Sequence, residues 1–336
     1  MKKLVTLAIS LIMATSLFGC GNSSDKNTDA SADAVQSQET TTEETNAEEG
    51  DTLVNNETEV LIEHSKGKVV VPKNPKKIAV FDFGILDTID TLGIDVEMAL
   101  PIDSIPQYLE SYKENTTNAG GIKEPNIEEL FNFEPEVIFI SGRQADFYDE
   151  LSKIAPTVYV ELDGANYIAS IQYNTAILTE IFQGKEDVSE EKLINIAKRV
   201  EEVNQKASAT EEKALVILTN SGKMSTYGRG SRFGIIFDDL GVKPADENIE
   251  VSTHGKEISY EYIAEINPDI IFVIDRNAVV GGENDDSQIL NNELVNGTNA
   301  AKSGKIINLD PEIWYIAGGG LTSVNTMIEE VEKAFN

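Results

Sequence analysis

The chain has 336 residues, with 58 Asp and Glu against 27 Lys and Arg and a formal net charge of −31 at neutral pH. No basic patch is visible, which argues against nucleic acid as a partner, because phosphate binding needs clustered cations. A single cysteine excludes an intramolecular disulfide. Beyond the N-terminal leader, no stretch reaches the roughly 20 apolar residues that a membrane span needs.

Residues 1–19 read as a signal peptide: Lys2 and Lys3 precede a short apolar run that ends at Phe18 and Gly19. Cys20 is expected to be the mature N-terminus and the acceptor of a lipid, as in bacterial lipoproteins, although Phe18 stands where such signals carry a small residue. Residues 20–57 are Ser, Thr, Asn, Asp and Glu with almost nothing to bury, so they are expected to form a disordered acidic tether. As a flexible chain it would span roughly 30–37 Å root-mean-square.

The body starts near residue 58. The segment "VLIEHSKGKVVVPKNPKKIAVFD" opens with a hairpin-like pair of β-rich runs, followed by a strand over 77–81 and a helix over 85–92, with Gly93 at its C-cap. Residues 126–133 form a short amphipathic helix, with Ile127, Leu130 and Phe131 at helical spacing. Pro135 stops it, and 137–140 is a buried strand. A helix over 145–154 and a strand over 157–160 follow. Strands alternating with helices predict a parallel sheet.

Residues 188–208 form one long helix of about 30 Å. Ser189 is its expected N-cap, Glu190 and Glu191 suit its positive end, and Leu193, Ile196, Val200 and Val203 make one apolar stripe. The second half then repeats the first: a strand over 214–219, a helix over 233–240 before Gly241, a helix over 259–266 and a strand over 270–274. Residues 126–143 align without a gap on 259–276, pairing Glu128 with Glu261, Pro135 with Pro268 and Arg143 with Arg276. The expected architecture is α/β, with two Rossmann-like lobes (58–187 and 209–336) joined by the 188–208 helix.

The chain contains only five arginines. Arg143 and Arg276 stand just past equivalent strand ends, where open α/β sheets bind ligands. Arg229 and Arg232 lie on the glycine-rich loop of "STYGRGSRFG". Guanidinium is a planar fork of donors that stays charged when partly buried, so a cleft lined by several of them suits a multiply charged anion with oxygen acceptors. The alternative is that each arginine pairs with a local acid such as Asp275 or Asp239. A zinc or manganese site would want more histidines than His64 and His254. No G-x-S-x-G elbow or P-loop is present.

The segments "SGRQ", "GSRFG", "THGKEIS", "IDRN" and "DPEIWYIAGGG" resemble the signature segments of class III substrate-binding lipoproteins of bacterial ABC importers. The resemblance covers about residues 59–335. It is strongest to the group that captures ferric catecholate siderophores, of petrobactin and enterobactin type. It implies two Rossmann-like lobes, a long backbone helix, no catalysis and no intrinsic cofactor. It implies a ferric siderophore as ligand, an ABC permease dimer as partner, a monomer, and a location outside the cytoplasm on a lipid anchor. By the same resemblance, Arg143, Arg232 and Arg276 hold the anionic ligand. His254 and Tyr315 complete the iron coordination when the siderophore supplies four ligands. Tyr227, Arg229 and Trp314 are candidates for the cleft rim. Glu128 and Glu261 dock onto the importer. Haem or cobalamin binding by the same fold, and a surface adhesin without transport, are the alternatives.

Overall fold

The computed structural model describes residues 56–281 and 290–336. The expectations for the leader, for Cys20 and for most of the tether lie outside the described residues. Strands β1 (Glu59–His64) and β2 (Gly67–Pro72) form the expected antiparallel hairpin. The first sheet contains β3 (Lys77–Val80), β4 (Glu97–Leu100), β5 (Thr117–Asn118), β6 (Val137–Ile140) and β7 (Thr157–Tyr159). They are all parallel, in the order β5-β4-β3-β6-β7. The second sheet contains β8 (Lys213–Asn220), β9 (Lys223–Tyr227), β10 (Lys243–Pro244), β11 (Lys256–Ile258), β12 (Ile270–Asp275) and β13 (Ile306–Leu309). Its order is β11-β9-β8-β12-β13 with β10 beside β8; β8, β10, β12 and β13 are parallel, and the reversed strand β9 pairs antiparallel with both β8 and β11. The central strands β6 and β12 are buried on both faces, which is why each reads as an unbroken apolar run.

The helices are α1 (Phe83–Thr91), α2 (Ile127–Phe133), α3 (Tyr148–Leu151), α4 (Tyr167–Ile181), α5 (Glu186–Ser208), α6 (Ile235–Asp238), α7 (Tyr260–Ile266), α8 (Asn277–Val280), α9 (Glu293–Asn296), α10 (Asn299–Ser303) and α11 (Leu321–Glu332). None of the described helices is long and apolar enough to cross a membrane. The connector α5 is 23 residues long, about 35 Å. Ile196 and Val203 of its stripe are buried, and Leu193 and Val200 pack against the core. It begins earlier than expected: Lys185 precedes its first turn, Glu186 and Asp187 meet its positive end, and Ser189 is buried inside it rather than capping it. The helix expected over 145–154 is a 3-10 segment (Gly142–Phe147) leading into the short α3, and that over 233–240 shrinks to the four residues of α6.

The repeat extends to the caps. The Asn126 side chain accepts the Glu129 N–H at the start of α2, and Ser259 accepts the Tyr262 N–H at the start of α7. Each helix stops on a left-handed residue, Glu134 at φ 55° and Asn267 at φ 48°, followed by proline and then by β6 or β12.

The two halves meet main chain to main chain. A Cβ on Gly84 of α1 would lie 2.6 Å from the Gly318 carbonyl oxygen. A Cβ on Gly164 would overlap the Ser231 carbonyl, and one on Gly234 would overlap the Gly164 carbonyl. Two carboxylates reinforce this seam. Asp87 of α1 is buried and accepts the Thr322 and Ser323 N–H groups at 2.9 and 2.7 Å, capping α11, whose own N-cap is Gly320. In the other direction, Asp239 beyond α6 faces the Ile168 N–H at the start of α4, which draws its carboxyl pKa down, while the helix's own N-cap Asn166 makes no side-chain cap bond. Burial pushes the Asp87 carboxyl up and takes Asp239 to about 6. The two ends of α5 are fastened to equivalent corners: Lys185 Nζ donates to the Gly93 carbonyl at 2.7 Å, and Asn204 Nδ2 to the Asp239 carbonyl at 2.9 Å.

Gly164→Ala is expected to destabilise the protein by roughly 1–3 kcal/mol in urea unfolding, the usual cost of overpacking. Gly121→Ala, whose nearest neighbour would be 3.7 Å away, is expected to change stability by less than about 0.5 kcal/mol. Equal stability of the two variants would mean that the seam has slack.

Candidate functional site

After β6 the chain turns through Ser141 into the 3-10 segment that carries Arg143. Gln144, fully buried, anchors this turn: it accepts the Ser141 N–H at 3.0 Å and donates to the carbonyls of Ile122 and Phe81. Arg143 is thereby aimed across the seam, where its Nη2 donates to the main-chain oxygen of Tyr315. Tyr315 stands on a wide π-type turn (Glu312–Ile316) that follows β13; such turns recur at functional sites. Arg232, on the loop after β9, donates from Nη2 to the same oxygen at 3.3 Å. Its guanidinium lies 4.4 Å from the centre of the Tyr315 ring and 5.0 Å from that of Phe233. Arg276, just past β12, donates from Nε to the Tyr315 hydroxyl at 2.8 Å and from Nη1 to Asn220 Oδ1 at 2.8 Å. Three half-buried guanidiniums from both halves of the fold thus converge on one residue.

The charges act on each other. Burial lowers the Arg143 pKa, the Asp82 carboxylate counteracts this, and the neighbouring Arg232 charge adds to the lowering. Burial raises the Tyr315 phenol, but the Arg276 hydrogen bond and the charges of Arg232, Arg276 and Arg143 outweigh it, so the phenol sits below its ordinary value. Tyr227 is pushed up by burial, against the pull of Arg232 and Arg276.

The other expected residues fall in different places. Trp314 is not on a rim: it is 4% exposed, and its Nε1 donates to Glu330 Oε2 at 2.7 Å, tying the turn to α11. Tyr227 is 2% exposed and meets Phe233 edge-on at 4.8 Å, beneath the cluster rather than at its edge. Arg229 is held locally: it donates to the Phe237 carbonyl at 2.8 Å and pairs with Asp238 at 3.1 Å and Glu247 at 3.6 Å. Local pairing is therefore right for Arg229 and wrong for Arg276, whose partners are Tyr315 and Asn220 rather than Asp275. His254 is exposed on the loop before β11, next to Gly255, where a Cβ would run into the Tyr227 ring, and it makes no hydrogen bond to the arginine cluster among those of the described residues. Glu128 and Glu261 are both exposed on the first turns of α2 and α7. Gln144, Asn220 and Asp82 were not anticipated. Each is an ordinary loop or cap residue in sequence and gains its role only from what the fold places beside it.

Two α/β sheets linked through a long helix, with arginines from both halves converging on one residue, form a candidate anion-binding site. The family model for periplasmic binding proteins matches residues 78–313. The chain is 40% identical to the petrobactin-binding protein YclQ of Bacillus subtilis over 336 residues, 99% of this chain and 98% of the relative. It is 36% identical to the ferric-anguibactin-binding protein FatB of Vibrio anguillarum, over 83% of this chain and 88% of that one. The crystal structure of YclQ superposes with a TM-score of 0.80 at 42% identity, covering 83% of this chain and 99% of that one. That of the periplasmic catecholate-siderophore binding protein VctP of Vibrio cholerae gives 0.76 at 33%, covering 82% and 99%. The chain belongs to the periplasmic binding protein family, with the class III fold, and is a binding protein rather than an enzyme.

Proposed function

We propose that this protein captures a ferric siderophore of the catecholate type outside the cytoplasm and delivers it to an ABC importer. The observation that carries this reading is the convergence of Arg143, Arg232 and Arg276 on one point from both halves of the fold. Fe³⁺ is hard and prefers oxygen ligands, and deprotonated catecholates bring it several negative charges. Three guanidinium forks match such an array of anionic oxygens. The names of YclQ, FatB and VctP, all siderophore binders, support the same reading. His254 and Tyr315 are proposed to complete the iron coordination when the siderophore supplies only four ligands; the Tyr315 hydroxyl accepts the Arg276 Nε–H within the arginine cluster, which supports its part of the reading.

Removing one partner of a buried charged hydrogen bond typically costs about 2–5 kcal/mol. Arg143→Ala, Arg232→Ala and Arg276→Ala are each expected to weaken a ferric tris-catecholate by at least about tenfold. Quenching of Trp314, the sole tryptophan, checks this, because its ring lies 6.2 Å from that of Phe233 below Arg232. Tight binding of a neutral ferric hydroxamate with no response to the arginine changes would contradict the reading.

Glu128 and Glu261 are proposed to dock onto the two membrane subunits of the importer. They occupy equivalent exposed positions on α2 and α7, and neither makes contact with the arginine cluster in the hydrogen bonds described. Changing both to Ala should leave ferric-catecholate affinity intact and abolish uptake in cells. Normal uptake, or lost ligand binding, would remove this assignment.

Cys20 is proposed as the lipidated mature N-terminus. The alignment with YclQ spans 99% of this chain and so includes this segment. Cys20→Ala should abolish incorporation of labelled palmitate and leave the leader uncleaved or the protein released. A fully processed, membrane-bound variant would contradict it.

A further inference from the structure

We infer that the cavity between the β1–β2 hairpin, the end of β7 and the first half of α4 is a second ligand subsite. It takes a positively charged amine on the organic frame of the same ligand whose anionic oxygens the arginines hold. This deepens the ferric-siderophore reading above and rests on it.

The cavity measures about 320 Å³, and its walls include His64, Tyr159, Glu161, Asp163, Tyr173 and Asn174. These walls are fixed from within. The Asn174 side chain donates to the Glu161 carbonyl at 3.0 Å, and the Tyr173 hydroxyl donates to the Glu63 carbonyl on β1 at 2.6 Å. Asp163 accepts the Asn166 side-chain amide at 2.8 Å and the Ala165 N–H at 2.9 Å, which holds its carboxyl below the ordinary value and keeps it charged. Burial lowers the His64 imidazole, whose Nδ1 accepts the Lys66 N–H at 3.2 Å, so this wall is neutral at physiological pH. The Glu161 charge acts on both the Tyr159 phenol and His64. Tyrosine rings combined with carboxylates make a receptor for an organic ammonium. The chain itself shows the fit: the exposed Lys66 places its ammonium over the Tyr159 ring, 5.4 Å from the centre.

The cavity adjoins the arginines on two sides. Strand β7 lies beside β6 with Tyr159 opposite Ile140, and a Cβ on Gly142 would lie 3.8 Å from the Tyr159 hydroxyl; Arg143 is the next residue. On the other side, Gly164 follows Asp163 and packs against the Ser231 carbonyl; Arg232 is the next residue. A ligand that places oxygens on Arg143 and Arg232 therefore has this cavity at its flank. Glu161 and Asp163 attract a cation there, and the two tyrosine rings give it faces to lie on. Lys66 acts in the opposite sense, because it already covers the Tyr159 face and repels an arriving ammonium.

The test uses a pair of synthetic ferric tris-catecholates as probes, alike except that the frame of one bears a protonated amine where the other bears a hydroxyl. Equilibrium dialysis, read through the visible absorbance of the complexes, gives the preference for amine over hydroxyl. The parent is expected to favour the amine probe by roughly threefold or more, the scale of one exposed cation–π contact or ion pair. Glu161→Gln should lower that preference and Lys66→Gln should raise it, each by about two- to fivefold. Glu191→Gln, which removes the same charge from an exposed position on α5, should leave it unchanged. A preference that Glu161→Gln and Glu191→Gln alter equally, or that Lys66→Gln fails to raise, would overturn the inference. If the parent binds neither probe, the ferric-catecholate reading fails. The subsite is then decided by the nuclear magnetic resonance signals of the two histidine rings. Free 1,4-diaminobutane should shift those of His64 in the parent and not in Glu161→Gln, and no His64 shift in the parent would overturn the subsite.

Discussion

Main chain touches main chain where the two halves of this protein join, and the rest of the site depends on that contact. Gly84 against Gly318 and Gly164 against Ser231 leave no room for a Cβ. The distance between the end of β6 and the ends of β12 and β13 is therefore set by backbone, which deforms less readily than side chains. Only with that distance fixed can Arg143 of one half reach the Tyr315 carbonyl of the other. The crossed carboxylates act in the same sense. Asp87 satisfies the first turn of α11 from across the seam and Asp239 faces the start of α4, so separating the halves would strip the cap from α11 and take the nearby carboxylate from α4. With α5 fastened at both ends as well, the fold favours small adjustments around a ligand over wide opening.

The electrostatics work at two ranges. The chain as a whole carries −31 charges, which should repel an anionic ligand at a distance. At physiological ionic strength that repulsion is screened beyond about 8 Å. Inside the cleft the three arginines dominate, at distances where the geometry of their forks matters. Selectivity then comes from short-range fit rather than long-range steering, and the acidic surface disfavours anions that cannot exploit the fork.

The repeat was legible in the sequence because it rests on local rules. Cap, first-turn glutamate, proline and buried strand recur 133 residues apart, and the fold keeps all of them, down to matching left-handed stops at Glu134 and Asn267. The arginine cluster was legible for a related reason: strand ends place residues predictably. What local rules could not supply was direction. Trp314 and Tyr315 are adjacent aromatics, yet the wide turn sends one to Glu330 and the core and the other to the arginines. Arg229 and Arg232 are three residues apart, and only the fold reveals that Asp238 and Glu247 claim the first. Helices α4 and α11 were missed outright. Asn166 precedes α4 but makes no cap bond, and the first-turn N–H groups of α11 are taken by Asp87 from far away in the chain, with only Ser323 bonding back to the Gly320 N–H locally. Ser189 misled in the opposite way, as a good cap residue overridden by an earlier start at Glu186.

The account's central claim is that one anionic ligand is held by arginines of both halves across a seam that stays closed. A crystal structure of the protein with a bound ferric tris-catecholate tests it most directly. The account predicts that Arg143, Arg232 and Arg276 all donate to ligand oxygens while Gly84 still meets Gly318 and Gly164 still meets Ser231. A ligand contacted by the arginines of one half alone, or bound with those glycine contacts pulled apart, would contradict it.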